Sequence, residues 1–413
     1  MINCDYESPK FASNVAVISA VQHKGPYSMH WDLPSNLTQS GIREILNLAL
    51  AKPGTIRLET GEPNFPPAPH ILDAYVEASH QGHNRYTATE GIPSLRAALS
   101  EKIRRVNGVV RSPEEILVTP GGLPALFLSF LGTAGRGGAV MVPDPGWPDY
   151  LGGMISLGIE PVAYPLQSGS YEPQLDDLER CITANTRAIV LNFPGNPTGR
   201  VLTTPQVENL VAFAKRHDLW IISDEVYDQI VFEREPLSPA RLAPERTLSV
   251  YSFSKTYAMT GWRLGYLAGP VAAVQSLTRV AMGTWSSVSE PLQYAGLGAL
   301  TGPQQSVSEM VQQYRVRRDR AMAQLKSYKI AVNSPDGAFY LLADISSSGL
   351  LSRTFALRLV EEKGVAVAPG SAFGSHSEGL VRISLASSQD DLNIGLERLN
   401  SFLHQVKQES TPG

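Results

Sequence analysis

Between residues 116 and 251 the chain repeats one pattern: a short apolar run, not interleaved with polar residues, that ends in a polar, Gly-rich or Pro-rich stretch. Residues 116–119 (ILVT) lead into Pro120-Gly121-Gly122, and 139–142 into PDPGWPDY. Residues 188–191 (AIVL) lead into NFPGNPTG, 220–222 into SDEVYD, and 248–251 into SFSKTYAMTGWRLG. Runs of this kind fit strands covered on both faces, as in a parallel sheet. The segments between them read as helices. After Thr204, read as an N-cap, and Pro205, read as the first helical residue, Val207, Leu210, Val211 and Ala214 form one apolar stripe. Strand and helix in alternation predict an α/β domain, with a mainly parallel central sheet between two helical layers. In such sheets ligands bind beyond the carboxyl ends of the strands. The polar stretches all fall at those ends, so they should converge on one site.

From about Glu290 the pattern changes. Helical segments run to Lys326. The strand candidates GAFYLLAD, GVAVAPG and LVRISLA follow, with a helical tail after Asp390. This predicts a smaller α+β domain. The expected division is a large domain over 52–295, and an N-terminal arm with the small domain over 1–51 and 296–413.

Composition narrows the function classes. Among the 413 residues, 35 basic against 39 acidic residues leave a net charge of −4, which argues against a nucleic-acid footprint. Cys4 and Cys181 are the two cysteines, too few for a disulfide framework or a Cys-rich zinc site. No apolar run approaches the ~18 residues of a membrane span. The start, MINCDYESPK, is unlike a secretory signal, so a cytoplasmic location is expected. The histidines show no metal-binding spacing, and neither a phosphate loop nor a dinucleotide fingerprint occurs. Ser252-x-x-Lys255 matches the S-x-x-K of penicillin-binding enzymes, but its S-D-N and K-T-G companions are missing.

Only ten of the basic residues are lysines, and one of them, Lys255, follows a strand read as buried. An amine desolvated there has a lowered pKa, as a lysine that condenses with an aldehyde requires. The bland alternative is a loop lysine on the surface. Asp224 ends the run at 220–222 and could hold a cationic ring nitrogen, such as the pyridinium of pyridoxal phosphate, or cap the next helix. Tyr227 could bond the phenolate oxygen of that cofactor. Asn196 lies in a Gly-Asn-Pro-Thr-Gly turn and could donate to the same oxygen. Ser252, Ser254 and Arg263 suit a phosphate monoester. The amides of Gly121, Gly122 and Leu123, at an expected helix start, would be a second phosphate cradle. Trp147 could stack on a flat ring or simply pack. Arg382, inside an apolar run, needs an anion, which could be a structural carboxylate or a substrate α-carboxylate.

SFSKTYAMTGWRLGY, with NFPGNPTG upstream and SDEVYD between them, resembles the class I/II aminotransferases, fold-type I pyridoxal-phosphate enzymes of the aspartate aminotransferase kind. SGIREILNLA, LETGEPNF, RYTATEGIPSLRAAL, GVAVAPGSAFG and VRISLA extend the resemblance over nearly the whole chain. It implies pyridoxal 5'-phosphate as cofactor and Lys255 as the Schiff-base lysine and proton shuttle. Asp224 would partner the pyridine nitrogen, and Asn196 and Tyr227 the phenolate oxygen. Ser252, Ser254, Arg263 and the amides of Gly121, Gly122 and Leu123 would hold the phosphate, under a stacking Trp147. Arg382, helped by the Gly61 backbone, would clamp the α-carboxylate. Tyr86 would reach the phosphate of a neighbouring subunit, which implies a homodimer with shared active sites.

The implied reaction is transfer of an amino group between an amino acid and a 2-oxo acid. The alternative on the same fold is β/γ-elimination, replacement or C–C bond formation, as in aminocyclopropane-carboxylate synthases that use S-adenosylmethionine. An aminotransferase-like ligand sensor is disfavoured, because no room remains for a DNA-binding domain. Gly146 replaces a frequent aromatic beside Trp147, which is expected to leave room at the cofactor. No second arginine for a side-chain carboxylate is evident. Thr284, Trp285 and Glu290 are candidates for side-chain selectivity.

Overall fold

The computed structural model describes residues 40–409, which belong to one compact unit. Cys4, the MINCDYESPK start and the rest of the expected arm before residue 40 lie outside the described residues.

The strands are β1 (Ile56–Arg57), β2 (Ile116–Thr119), β3 (Ala139–Asp144), β4 (Glu160–Pro165), β5 (Thr186–Leu191), β6 (Trp220–Asp224), β7 (Thr247–Ser252), β8 (Gly265–Ala268), β9 (Tyr340–Asp344), β10 (Val365–Ala366), β11 (Ala368–Pro369) and β12 (Leu380–Ser384). Seven of them form the central sheet, in the order β2-β8-β7-β6-β5-β3-β4. Neighbours from β7 to β4 are parallel, whereas β8 runs antiparallel to both β7 and β2.

The apolar runs are buried on both faces because alternate residues enter different cores. Val140, Val142, Ala188, Val190 and Ile222 pack with Leu126 and Phe130 of the helix Gly122–Thr133. Met141, Ile189, Leu191 and Ile221 pack with Val207, Leu210, Val211 and Ala214 of the helix Thr204–Arg216. Two helical layers therefore enclose the sheet. The helix Thr204–Arg216 begins one residue earlier than the sequence suggests. Thr203, not Thr204, is its N-cap, in a capping box with Gln206.

The second region has a three-stranded antiparallel sheet, β11-β12-β9, and a parallel pair, β1-β10. Its core joins Ile45 and Ala49 of the helix Gly41–Ala51, with Ile56 and Leu58, to Phe355, Leu359, Leu396, Leu399 and Phe402. Residues on both sides of position 52 thus pack on the C-terminal third of the chain. Among the described residues, no helix is long and apolar enough to cross a membrane.

Candidate active site

The ends of β5, β6 and β7, the helix start at Gly122, and β9 and β12 surround a cavity of about 430 Å³. Lys255 reaches it from a one-turn helix, Phe253–Thr256, that follows β7 directly. Ser252 caps this helix, its hydroxyl accepting the Ser254 N–H at 3.1 Å. The Lys255 amine donates to the Gly61 carbonyl oxygen. Burial, reinforced by the positive charge of Arg382, lowers its pKa from 10.5 to about 8. The surface-lysine alternative is thereby excluded.

Asp224 ends β6 at the floor of the cavity and is buried. Tyr150 donates its hydroxyl proton to Oδ2 at 2.5 Å, and the Val226 N–H reaches Oδ1 at 3.4 Å. Burial raises the Asp224 pKa to about 6, against the opposing pull of Tyr150, Val226 and Lys255. Asn192 fixes the neighbouring backbones. Its Nδ2 donates to the Asp224 carbonyl at 3.1 Å, and its Oδ1 accepts the Asn196 N–H at 2.8 Å. The Tyr227 hydroxyl meets that of Tyr340 at 2.8 Å, and burial raises its pKa well above the usual range.

Arg382 projects from β12, with both Nη atoms bonded to uncharged oxygens. Nη1 donates to Asn196 Oδ1 at 2.9 Å and Nη2 to the Glu59 carbonyl at 2.5 Å. Its guanidinium lies 4.3 Å from the Tyr340 ring centre and 4.8 Å from that of Phe373. Among the described residues it forms no ion pair, and its buried Nε has no hydrogen-bond partner. The Glu59 carboxylate is instead engaged by Arg57. A structural carboxylate does not account for Arg382.

Ser252, Ser254 and Arg263 line the same cavity, beside Gly122 and Leu123 at the first turn of the helix Gly122–Thr133. Gly121 plays a different part from the expected one. Its own N–H donates to the Thr119 carbonyl at 2.7 Å, so of the three expected cradle amides this one is already engaged. Its φ of +101° suits glycine, and a Cβ there would lie 2.6 Å from Arg263 Nη2. Trp147 lines the cavity with its ring edge-on to Tyr150, the centroids 5.3 Å apart.

Tyr86, expected to act on a neighbouring subunit, is 91% exposed and does not line the cavity of its own chain. Other expectations are not met. A Cβ on Gly146 would strike the Pro143 carbonyl oxygen, so this glycine accommodates the backbone rather than opening space at the cavity. Thr284, Trp285 and Glu290 lie elsewhere. Thr284 bonds back to the Val280 carbonyl, Trp285 packs against the core beneath the helix Gly122–Thr133, and Glu290 binds His83 and the Arg85 N–H. Besides Arg263 and Arg382, Arg43 lines the cavity, from the helix Gly41–Ala51. The sequence reading also missed Asn192, Tyr150 and Tyr340. Asn192 was legible as the first polar residue after an apolar run, but the two tyrosines carried no local signal.

The donor set fits pyridoxal 5'-phosphate. An enclosed amine suits its aldehyde, a buried carboxylate its ring nitrogen, and hydroxyls, a guanidinium and helix-start amides its phosphate. The comparisons decide the family. The sequence model described as "Aminotransferase class I and II" matches residues 53–399.

The chain belongs to the class I and II aminotransferases.

Aromatic-amino-acid aminotransferase 2 of Thermococcus litoralis is 36% identical over 375 residues, covering 89% of this chain and 96% of that protein. The aspartate/prephenate aminotransferase of Thermus thermophilus is 39% identical over 356 residues, covering 84% and 91%. The solved aspartate aminotransferase of Thermus thermophilus with maleate superposes with a TM-score of 0.85 at 36% identity, covering 88% of this chain and 97% of that one. This aminotransferase has the fold-type I architecture, and amino acids and 2-oxo acids are the substrates of its family.

Proposed function

We propose that this aminotransferase works with pyridoxal 5'-phosphate covalently attached to Lys255, and that Arg382 selects substrates by their α-carboxylate. The observation that carries the reading is the pairing, in one cavity, of an amine with a pKa of about 8 and a buried arginine without an ion-pair partner among the described residues. When bound, the cofactor supplies an aldehyde for the lysine and a ring that accepts the electrons of the substrate's broken Cα–H bond.

The chain's own residues do the rest. Asp224, held by Tyr150, would keep a proton on the ring nitrogen. Tyr227 and Asn196 would donate to the phenolate oxygen. Ser252, Ser254, Arg263 and the amides of Gly122 and Leu123 would hold the phosphate, with Gly121 shaping the turn. Trp147 would pack on the ring. Arg382, helped by the Gly61 backbone, would hold the α-carboxylate and so bring Cα–H within reach of Lys255. Lys255, freed by the incoming amino group, would take that proton and, for amino transfer, return it to the carbon on the other side of the substrate nitrogen. Positioned proton transfer of this kind contributes roughly 10²–10⁴-fold.

Three further assignments belong to this proposal. The protein acts as a homodimer in which exposed Tyr86 reaches the phosphate site of the neighbouring subunit. The large domain spans 52–295, with 1–51 and 296–413 forming the arm and small domain, a division favoured by the shared core of the helix Gly41–Ala51 and the C-terminal third. Its location is cytoplasmic.

Borohydride treatment of the holoenzyme, followed by peptide mass analysis, should find reduced cofactor on Lys255. Label elsewhere, or none, refutes the reading. Lys255→Ala should lose turnover by orders of magnitude. A panel of amino acids and S-adenosylmethionine, scored for oxo acid and aminated cofactor against a lost leaving group, separates transfer from elimination.

A further inference from the structure

Behind the turn that carries Lys255 lies a second, enclosed group of polar side chains that the proposed chemistry does not use. Lys102, at the end of the helix Pro93–Lys102, is 5% exposed, and its amine forms an ion pair with Asp228, which is 7% exposed. The chain then continues as a π-helix, Ile103–Asn107. Its wide turn brings residues five apart onto one face, so Asn107 Oδ1 accepts from the Lys102 amine at 3.0 Å. Asn107 Nδ2 donates onward to Asp228 at 3.0 Å and to Glu225 at 3.2 Å. Glu225 also accepts from Ser223, Ser238 and Tyr251, at 2.9, 2.7 and 3.1 Å. The Lys102 amine lies 4.4 Å from the centre of the Tyr251 ring. The network thus joins the residues on either side of Asp224 to the residue preceding Ser252.

Against this network lies a void of about 10 Å³, lined in part by Lys102, Asp228, Thr256 and Tyr266. Thr256 is 2% exposed and Tyr266 3%, and neither hydroxyl has a hydrogen-bond partner among the described residues. Leaving two buried hydroxyls unpaired is costly, and a void of this size with several polar partners suits one water molecule. The Lys102 ammonium on the wall argues against a cation there.

We propose that one buried water, bonded to the Thr256 and Tyr266 hydroxyls and to the Lys102–Asp228 pair, braces the one-turn helix from behind and so positions Lys255. Thr256 is the next residue after Lys255 and belongs to the same turn. Lys102 and Asp228 are positioning residues in this arrangement, because they act through the turn.

The test uses Thr256→Val and Tyr266→Phe, which remove the hydroxyls and keep the shapes. If the hydroxyls share a water, each variant lowers the Tm of the cofactor-free protein, and the double variant loses little more than one single. Unpaired hydroxyls predict the opposite, since deleting them leaves the Tm unchanged or raises it. Independent partners predict additive losses. Either result overturns the shared water. Positioning is read in the holoenzyme from the pH midpoint of the cofactor absorbance and from kcat. The variants should move the midpoint and lower kcat severalfold, with Asp228→Asn as a further variant in the same direction. A lowered Tm with an unmoved midpoint refutes the positioning role. The role of Lys255 rests on the preceding proposal. If the wild type shows no cofactor absorbance, that proposal fails, while the water is still judged by the Tm series.

Discussion

Replacing Lys255 with methionine should stabilise the cofactor-free protein while abolishing catalysis. The amine is enclosed chiefly by burial, with Arg382 and Arg263 adding like charge, and its pKa falls from 10.5 to about 8. That difference corresponds to about 3 kcal/mol, at about 1.4 kcal/mol per pH unit. Solvent in the open cavity screens part of it, and the hydrogen bond to Gly61 offsets about 1 kcal/mol more. A net gain of about 2 kcal/mol at pH 7 remains for Lys255→Met. The sign follows from proton binding. Between pH 8 and 10.5 the unfolded lysine holds its proton and the folded one releases it, so the wild type gains stability as pH rises. The advantage of the variant should therefore be full below pH 8 and fade toward pH 10.5. Urea unfolding of both cofactor-free proteins at pH 7 and pH 9.5 measures it. A variant no more stable than the wild type at pH 7, or a gap that does not narrow with pH, would refute the argument.

Other outcomes follow from single contacts. Gly121→Ala, with φ at +101° and a Cβ 2.6 Å from Arg263 Nη2, should weaken cofactor binding about tenfold or more, read by absorbance titration. Tyr150→Phe removes the short donor to Asp224 and should lower kcat by about tenfold with little change in fold, since a hydrogen bond to a charged group is worth about 1.5–3 kcal/mol. Gly61→Ala drives a methyl group into the Tyr340 hydroxyl, breaking its 2.8 Å bond with Tyr227, and should raise KM for the amino acid. Arg382→Met should lower kcat/KM by roughly a hundredfold yet leave the protein at least as stable, because a buried charge without an ion-pair partner is costly.

The layered fold is legible in the pattern of the chain. Runs such as AIVL are apolar at every position because both faces of β5 are buried, and that signal needs no distant partner. The edge strand β4 and the antiparallel β8 stayed hidden. β4 has exposed and half-buried positions, and β8 is a four-residue strand whose direction depends on its neighbours. Lys255, Asp224, Asn196, Arg263 and Arg382 were legible because each stands at a strand end or interrupts an apolar run. Their roles came from motif resemblance rather than from spacing.

The contacts that tune these groups arise only when the chain folds. Tyr150 lies 74 residues from Asp224 and Tyr340 lies 113 from Tyr227, separations at which no local pattern survives. Gly121 shows the same division. Its glycine identity was visible in the chain, but folding determines that its own amide turns inward to Thr119 and that the space for a Cβ is taken by Arg263. Sequence specifies which chemistry is carried by each strand end. Packing across distant strands fixes the protonation and orientation in which that chemistry is presented.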